Sequence, residues 1–302
     1  MEVKSDFYFK PVPAITGYDA TKADVLGPLA DLPGTWTGKG FNVIWRPHHD
    51  KNQDHFLELN LTSETLEFQE IGGPIPNRGL LQHDICMFGA GYLQQIKDAN
   101  NQAGLHFEPG IWANVPKTEN PKEQATVVRM ASIPHGTTVL AQGLSLVAPK
   151  PDITPTGITP FKIGDPKSLV HFPESDLSKK TKFRSPPADI AGITQKMVDD
   201  PNSVLTDAIK GQKIKSTIVL IVSSDPNKPV VGGGTVNTAF LEGSKSGPNA
   251  QAALVTATFW IETVEGAAGR PDFLQLQYTQ TVLLNFNGLS WPHITVGTLL
   301  KG

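Results

Sequence analysis

A single cysteine, Cys86, is the whole thiol content of this 302-residue chain. That excludes an intrachain disulfide, a thiolate zinc site and a cysteine-ligated iron–sulfur cluster. Charge is scarce as well: 18% of residues are Asp, Glu, Lys or Arg, and the net charge is −3. Typical soluble domains carry about 25%, so a disordered polyelectrolyte is excluded. A slightly acidic chain is also not built to bind nucleic acid. No run approaches the roughly 18 consecutive apolar residues of a membrane-spanning helix. The opening MEVKSDFYFKPVPAITG lacks a charged segment followed by an apolar run, so no secretory signal and a cytoplasmic location are expected. The sequon Asn60-Leu61-Thr62 is then an accident of composition.

Several signatures of nucleotide and nucleophile chemistry are missing too. Gly232-Gly233-Gly234 is not followed by Lys-Ser/Thr, and Gly38-Lys39-Gly40 has Val43 where a dinucleotide fingerprint needs its third glycine. No Gly-x-Ser-x-Gly elbow occurs. Cys86, alone within an apolar run, reads as a small hydrophobe rather than a nucleophile. The loop Arg46–His55 gathers three histidines and two aspartates, but a calcium loop starting at Asp50 is excluded because its sixth position is His55 and its twelfth Leu61. It reads as a hydrated polar hairpin.

What the chain does have is glycine (28) and proline (25), together more than a sixth of all residues, against about 12% on average. Short segments of strand character alternate with turn residues. Phe56–Leu61 and Thr65–Ile71 show the period of two expected of half-buried strands. Trp36–Trp45, Leu81–Phe88, Tyr92–Ile96, Leu105–Val115 and Thr126–Ser132 continue the series, with Ala90-Gly91 and Asn100-Asn101 as turns. A second group runs through Thr217–Ser223, Thr235–Leu241, Ala253–Val264, Phe273–Phe286 and His293–Leu300. About ten antiparallel strands predict an all-β fold, an up-and-down barrel or a sandwich, because closure removes exposed edges.

Ala148–Gly211 differs. It is rich in proline, and its second half carries helical signals at Ile190–Val198 and after Pro201-Asn202-Ser203. It reads as an insertion into a single domain spanning residues 1–302, with residues 1–28 as an N-terminal extension; a linker between two domains is the competing reading.

Three histidines are placed for chemistry. His83 shares parity with Leu81, Ile85 and Met87, so a continuous strand would turn it to the apolar face. His106 shares parity with Glu108, opposite Leu105 and Phe107, which reads as a solvent-facing pair or as a pocket base. His293 follows Trp291-Pro292, and proline gives the last strand a defined direction. A neutral imidazole there suits either a structural role or the one axial position that haem leaves to the protein.

Leu32-Pro33-Gly34-Thr35-Trp36-Thr37-Gly38-Lys39-Gly40-Phe41, continuing to Trp45-Arg46-Pro47, resembles the opening strand of nitrobindin-like haem-binding β-barrels. Here Arg46 separates the aromatic from the proline. Leu105-His106-Phe107-Glu108-Pro109-Gly110-Ile111 resembles that family's His-x-Glu-x-Gly strand, with Ile111 in place of an aromatic. Tyr278-Thr279-Gln280-Thr281 and Pro292-His293-Ile294-Thr295-Val296 resemble its last two strands. The similarity covers residues 30–145 and 250–302, and this chain is nearly twice a typical member's length.

The resemblance implies haem b (iron protoporphyrin IX) in a barrel cavity, with His293 as the proximal iron ligand. Thr35, Trp36, Gly38, Gly40, Phe41 and Trp291 would surround the cofactor, the glycines allowing close approach. The family's apolar distal pocket would suit ferric haem that meets reactive nitrogen species; a peroxidase would instead want a distal base, which His83, His106 or His135 could supply, and a cationic group, Arg78 or Arg129. The insertion would cap the rim. The implied partners are haem and a small-molecule oxidant or apolar substrate, with no nucleic acid and no membrane; a homodimer is compatible with the sequence. A metal-free, lipocalin-like carrier of an apolar molecule and a cofactor-free isomerase or cyclase remain open alternatives.

Overall fold

The computed structural model describes residues 25–48, 55–133, 136–238 and 250–302. Among the described residues, ten of the strands close the barrel, in chain order: β1 Gly34–Pro47, β2 His55–Glu70, β3 Ile85–Asp98, β4 Gly104–Val115, β5 Thr126–Ile133, β6 Thr137–Ala148, β7 Ile214–Ser223, β8 Gln251–Val264, β9 Phe273–Phe286 and β10 Leu289–Lys301. Each pairs antiparallel with the next, and β10 returns to β1 from Trp36↔Lys301 to Ile44↔His293. The all-β, closed antiparallel barrel expected from the strand pattern is the observed fold. Eight strands make a barrel that side chains just fill, so ten leave room for a cavity.

The strands are longer than the sequence suggested. Phe56–Leu61 and Thr65–Ile71 belong to one strand, and Ala90-Gly91, expected as a turn, lies inside β3. Alternation survives through both because a strand's side-chain period does not reset at small residues. Asn100-Asn101 is a turn, with both amides donating to Asp98 Oδ1.

One end of the barrel is plugged. The turn of 3-10 helix at Gly27–Leu29 brings Leu26, Leu29 and Leu32 against Trp36, Leu66, Trp112 and Leu299. The Trp36 indole N–H donates to the Leu32 carbonyl at 2.8 Å, satisfying its one polar atom.

The second apolar cluster lies on the outside. Phe41, Val43, Leu57, Leu59, Ile294 and Val296 project outward and are covered by Ile158, Ile193, Val198 and Leu205 of the insertion. Helices α1 (Gln195–Asp199) and α2 (Ser203–Ala208) belong to it, as does Phe161–Lys162, which pairs with the start of β10. Arg184 ties the loop before α1 through the carbonyls of Glu174, Asp176 and Lys179. The insertion is therefore a side wall rather than a cap on the cavity. Several strands bury both faces, and their inward faces are free to be polar. Among the described residues no helix is long and apolar enough to cross a membrane.

Gly40 shows how tight the wall is. A Cβ there would stand 2.1 Å from the Val296 carbonyl oxygen and 2.7 Å from Glu64 Oε1. Neither the backbone oxygen nor the buried Glu64 can withdraw cheaply, so Gly40→Ala is expected to destabilise by about 1–3 kcal/mol. The midpoint of urea unfolding measures it, and a wild-type midpoint would refute the close-approach role.

Candidate functional site

Inside the barrel, at the end opposite the Trp36 plug, lies a cavity of about 220 Å³. Its walls are mostly aliphatic, including Ile44, Ile96, Val139, Val255, Val282 and Leu284. Its polar groups include Gln94, His106, Tyr278, Gln280, His293 and Thr295, with Arg46 at the rim. A mostly apolar pocket with a few convergent polar groups is the usual form of a small-molecule site.

His293 reaches the cavity because Val282↔His293 and Ile44↔His293 fix its register between β9 and β1. Its Nε2 lies 2.8 Å from Asn42 Oδ1, which also accepts from Thr295 Oγ1 at 2.9 Å. Asn42 Nδ2 donates to Asn60 Oδ1, which sets the amide's orientation. An amide oxygen only accepts, so His293 carries its proton on Nε2. Asn60 in turn donates to Asp98 Oδ2 at 2.9 Å, extending the line of support across three strands.

His106 projects from β4, four places from β10 around a circuit of ten, so the two imidazoles stand on nearly opposite walls. Its Nε2 donates to Glu108 Oε2 at 2.9 Å. Glu108 is wholly buried and also takes Arg129 Nη2 at 2.5 Å and the Tyr92 hydroxyl. Burial pushes the Glu108 carboxyl up, but Arg129, His106 and Tyr92 outweigh it and hold it down at about 2. The Arg129 guanidinium donates to Gln280 Oε1 and sits against the rings of Phe259, Tyr92 and Trp112. Arg129 thus supports the wall from behind and does not line the cavity.

A second buried carboxylate lies beneath the floor. Glu64 Oε2 accepts from the Tyr278 hydroxyl at 2.6 Å and Oε1 from Thr62 at 2.9 Å. Burial pushes Glu64 up to about 7 despite those bonds. The two buried carboxyls are therefore driven apart: near neutrality Glu108 is ionised while Glu64 is poised between its two forms.

The residues expected to surround a cofactor are scattered. Thr35 is exposed, Trp36 belongs to the plug, and Phe41 faces outward under the insertion. Trp291 stacks on Phe286 at 4.7 Å and joins Trp45, His55 and Phe172, away from the cavity lining. A Cβ on Gly38 would collide with the β10 backbone, so Gly38 serves strand packing, as Gly40 does. His83 is exposed and precedes β3, which opens only at Ile85, so the parity argument for an inward His83 fails. Arg78 pairs with Asp84 on the surface. Cys86 is a half-buried free thiol.

His135 and residues 49–54 of the histidine-rich loop lie outside the described residues, as do residues 1–24 of the N-terminal extension. Among the described residues, no three His, Cys, Asp or Glu side chains gather as a metal site. Gln94 and Gln280 are cavity groups that sequence reasoning missed, and Asn42, outside the lining, is the missed support of His293. Asn42 had one signal, a lone amide inside the apolar run Phe41–Ile44 with the parity of Gly38 and Gly40.

No protein-family model matches the chain, and no curated protein matches it in sequence. Among solved structures it is similar to that titled Rv2717c from M. tuberculosis, with 13% identity, a TM-score of 0.44, and coverage of 93% of this chain and 98% of that one.

Proposed function

We propose that the cavity binds haem b with His293 as its axial ligand, and that the loaded protein acts on peroxide or reactive nitrogen species. One observation carries this reading. His293 lines a mostly aliphatic cavity while its Nε2–H is held by an acceptor, Asn42 Oδ1. A ligating histidine almost always donates its other ring N–H to such a partner, which sets its tautomer and direction. The side-chain chemistry suits the group, with one oriented imidazole, aliphatic walls and a second histidine on the opposite wall, while the volume of about 220 Å³ encloses only part of a flat macrocycle, whose remainder would stand at the rim. When bound, haem supplies the redox-active iron that such oxidants require. The chain's own contribution is to orient His293 through Asn42, to hold a proton on His106 Nε2 against Glu108, and to exclude water from the aliphatic walls. His106 is the side chain suited to moving a peroxide proton.

The test is spectroscopic. Hemin titration of the purified protein is expected to give a Soret band at one equivalent, shifted and weakened by His293→Ala. Asn42→Ala is expected to weaken hemin binding about 10–100-fold, the usual effect of losing a ligand's supporting partner. An unchanged spectrum in His293→Ala would sink the ligand assignment.

A second reading, a metal-free carrier of a small apolar molecule, draws on the volume. About 220 Å³ is below the roughly 300–1,000 Å³ of most drug-sized sites. Failure of the wild-type protein to take up hemin would favour it.

A further inference from the structure

The cavity floor contains a hydrogen-bonding group whose direction depends on a carboxyl the ligand never touches. Tyr278 and Gln94 line the cavity, and Glu64 lies behind them. Gln94 Nε2 donates to Tyr278 Oη at 3.1 Å, and Tyr278 Oη lies 2.6 Å from Glu64 Oε2. The space is cleared for them: a Cβ on Gly297 would stand 2.6 Å from the Tyr278 ring and 3.1 Å from Glu64 Oε2.

A phenolic hydroxyl donates once and accepts twice. When Glu64 is ionised, it only accepts, and the single Tyr278 proton must point at it. When Glu64 is protonated, its O–H donates to Oη, Gln94 fills the other lone pair, and the Tyr278 O–H turns to the cavity.

We propose that Glu64 and Tyr278 form a protonation-controlled switch that makes the cavity floor a hydrogen-bond donor to a ligand oxygen when Glu64 is neutral and an acceptor when it is ionised. The ligand class selected in the donor state is an apolar molecule bearing a carbonyl or similar oxygen acceptor. The inference rests on the cavity taking a ligand and does not depend on haem.

The switch works around neutrality because burial lifts the Glu64 carboxyl to about 7, while burial holds the Tyr278 hydroxyl protonated, well above its ordinary range. The other charged or titratable groups facing this pair are His106, which acts on Glu64, and Arg129 and Glu108, which act on Tyr278.

Benzaldehyde, one ring with one acceptor, is a suitable probe, its affinity measured by calorimetry at pH 5.5 and 8.5. The wild type is expected to bind about tenfold more weakly at the higher pH, the worth of one hydrogen bond. Glu64→Gln, whose amide also donates to Oη, should bind tightly at both. Tyr278→Phe should bind weakly at both and needs no change at the carboxyl. The infrared difference between wild type and Glu64→Gln should contain a protonated carboxyl band at pH 5.5 that is gone at 8.5.

A Glu64→Gln protein that keeps the wild-type pH dependence would overturn the proposal and move the effect to His106. A pH-independent wild type, or no benzaldehyde binding at either pH, overturns it as well. Hemin uptake with a His293-dependent Soret band, alongside any of those results, would remove the switch and leave the haem reading standing.

Discussion

Replacing Arg129 with methionine is expected to cost about 3–5 kcal/mol of stability, the usual penalty for leaving one partner of a buried ion pair alone. Arg129 and Glu108 are both almost wholly buried, and their contact at 2.5 Å is surrounded by aromatic rings. Removing the guanidinium strands the Glu108 carboxylate with only the His106 and Tyr92 donors. It also leaves Gln280 Oε1 without the Arg129 hydrogen bond. The stranded carboxylate can escape by taking a proton, so the loss should shrink as pH falls. The double variant Glu108→Gln with Arg129→Met removes both charges and should recover much of the loss, because two neutral side chains cost less to bury than one unpaired charge. Urea unfolding of the two variants at pH 7.5 and pH 4.5 measures this. Equal midpoints for single and double variants at pH 7.5 would show that the pair is not what the barrel depends on at this layer.

The same residues show why the barrel was legible in the sequence while its interior was only partly so. Strand alternation gave the fold class because period two is a property of the backbone and persists whichever face is buried. The direction of each face was misjudged wherever the insertion covers the outside. In β1, Phe41, Val43 and Trp45 are the apolar face, and they point outward under Ile158 and Val198. Beyond Trp36 in the plug, the inward face is Gly38, Gly40, Asn42 and Ile44. In β4, Leu105 and Phe107 are likewise outside, and the polar pair His106 and Glu108 is inside. A polar pair opposite two apolar residues is expected to face water only when one face of a sheet is solvated. Local sequence does not say that the distant insertion will cover the outer face of β1.

The His-x-Glu-x-Gly strand resolves the other way. His106, Glu108 and Gly110 share one inward face, and the missing Cβ of Gly110 clears the Tyr92 ring. That spacing is a single functional row: cavity imidazole, buried carboxylate, and room for the tyrosine that holds the carboxylate. Tyr278 and Gln280 form the matching row on β9. Asn42, Glu64 and Gln94 come from three further strands and meet these rows only through closure of the barrel, which no local spacing encodes.

Between pH 5 and pH 8.5 the folded protein is expected to lose several kcal/mol of stability, the reverse of ordinary acid denaturation. Two glutamates are responsible. Burial pushes both Glu64 and Glu262 from 4.5 up to about 7. Glu262 lies on the outer face, where Gln275 Nε2 donates to Oε2 at 2.6 Å and Oε1 is buried without a partner. In the unfolded chain each glutamate ionises near its ordinary value, whereas in the fold each keeps its proton until about pH 7. Over that window the folded state binds more protons than the unfolded state, so stability falls as pH rises. A shift of this size corresponds to about 3 kcal/mol for each group. Glu108 acts in the opposite sense: its lowered carboxyl contributes stability above its unfolded value, and that contribution is lost as pH falls toward 2. The two tendencies place the maximum near pH 5. Urea unfolding across this range is expected to show the decline in the wild type, roughly halved in Glu64→Gln and in Glu262→Gln and absent when both are replaced. A wild-type profile that is flat or rising from pH 5 to 8.5 would mean that these carboxyls ionise normally in the fold. In that case the donor state assigned to the cavity floor would not exist at neutral pH.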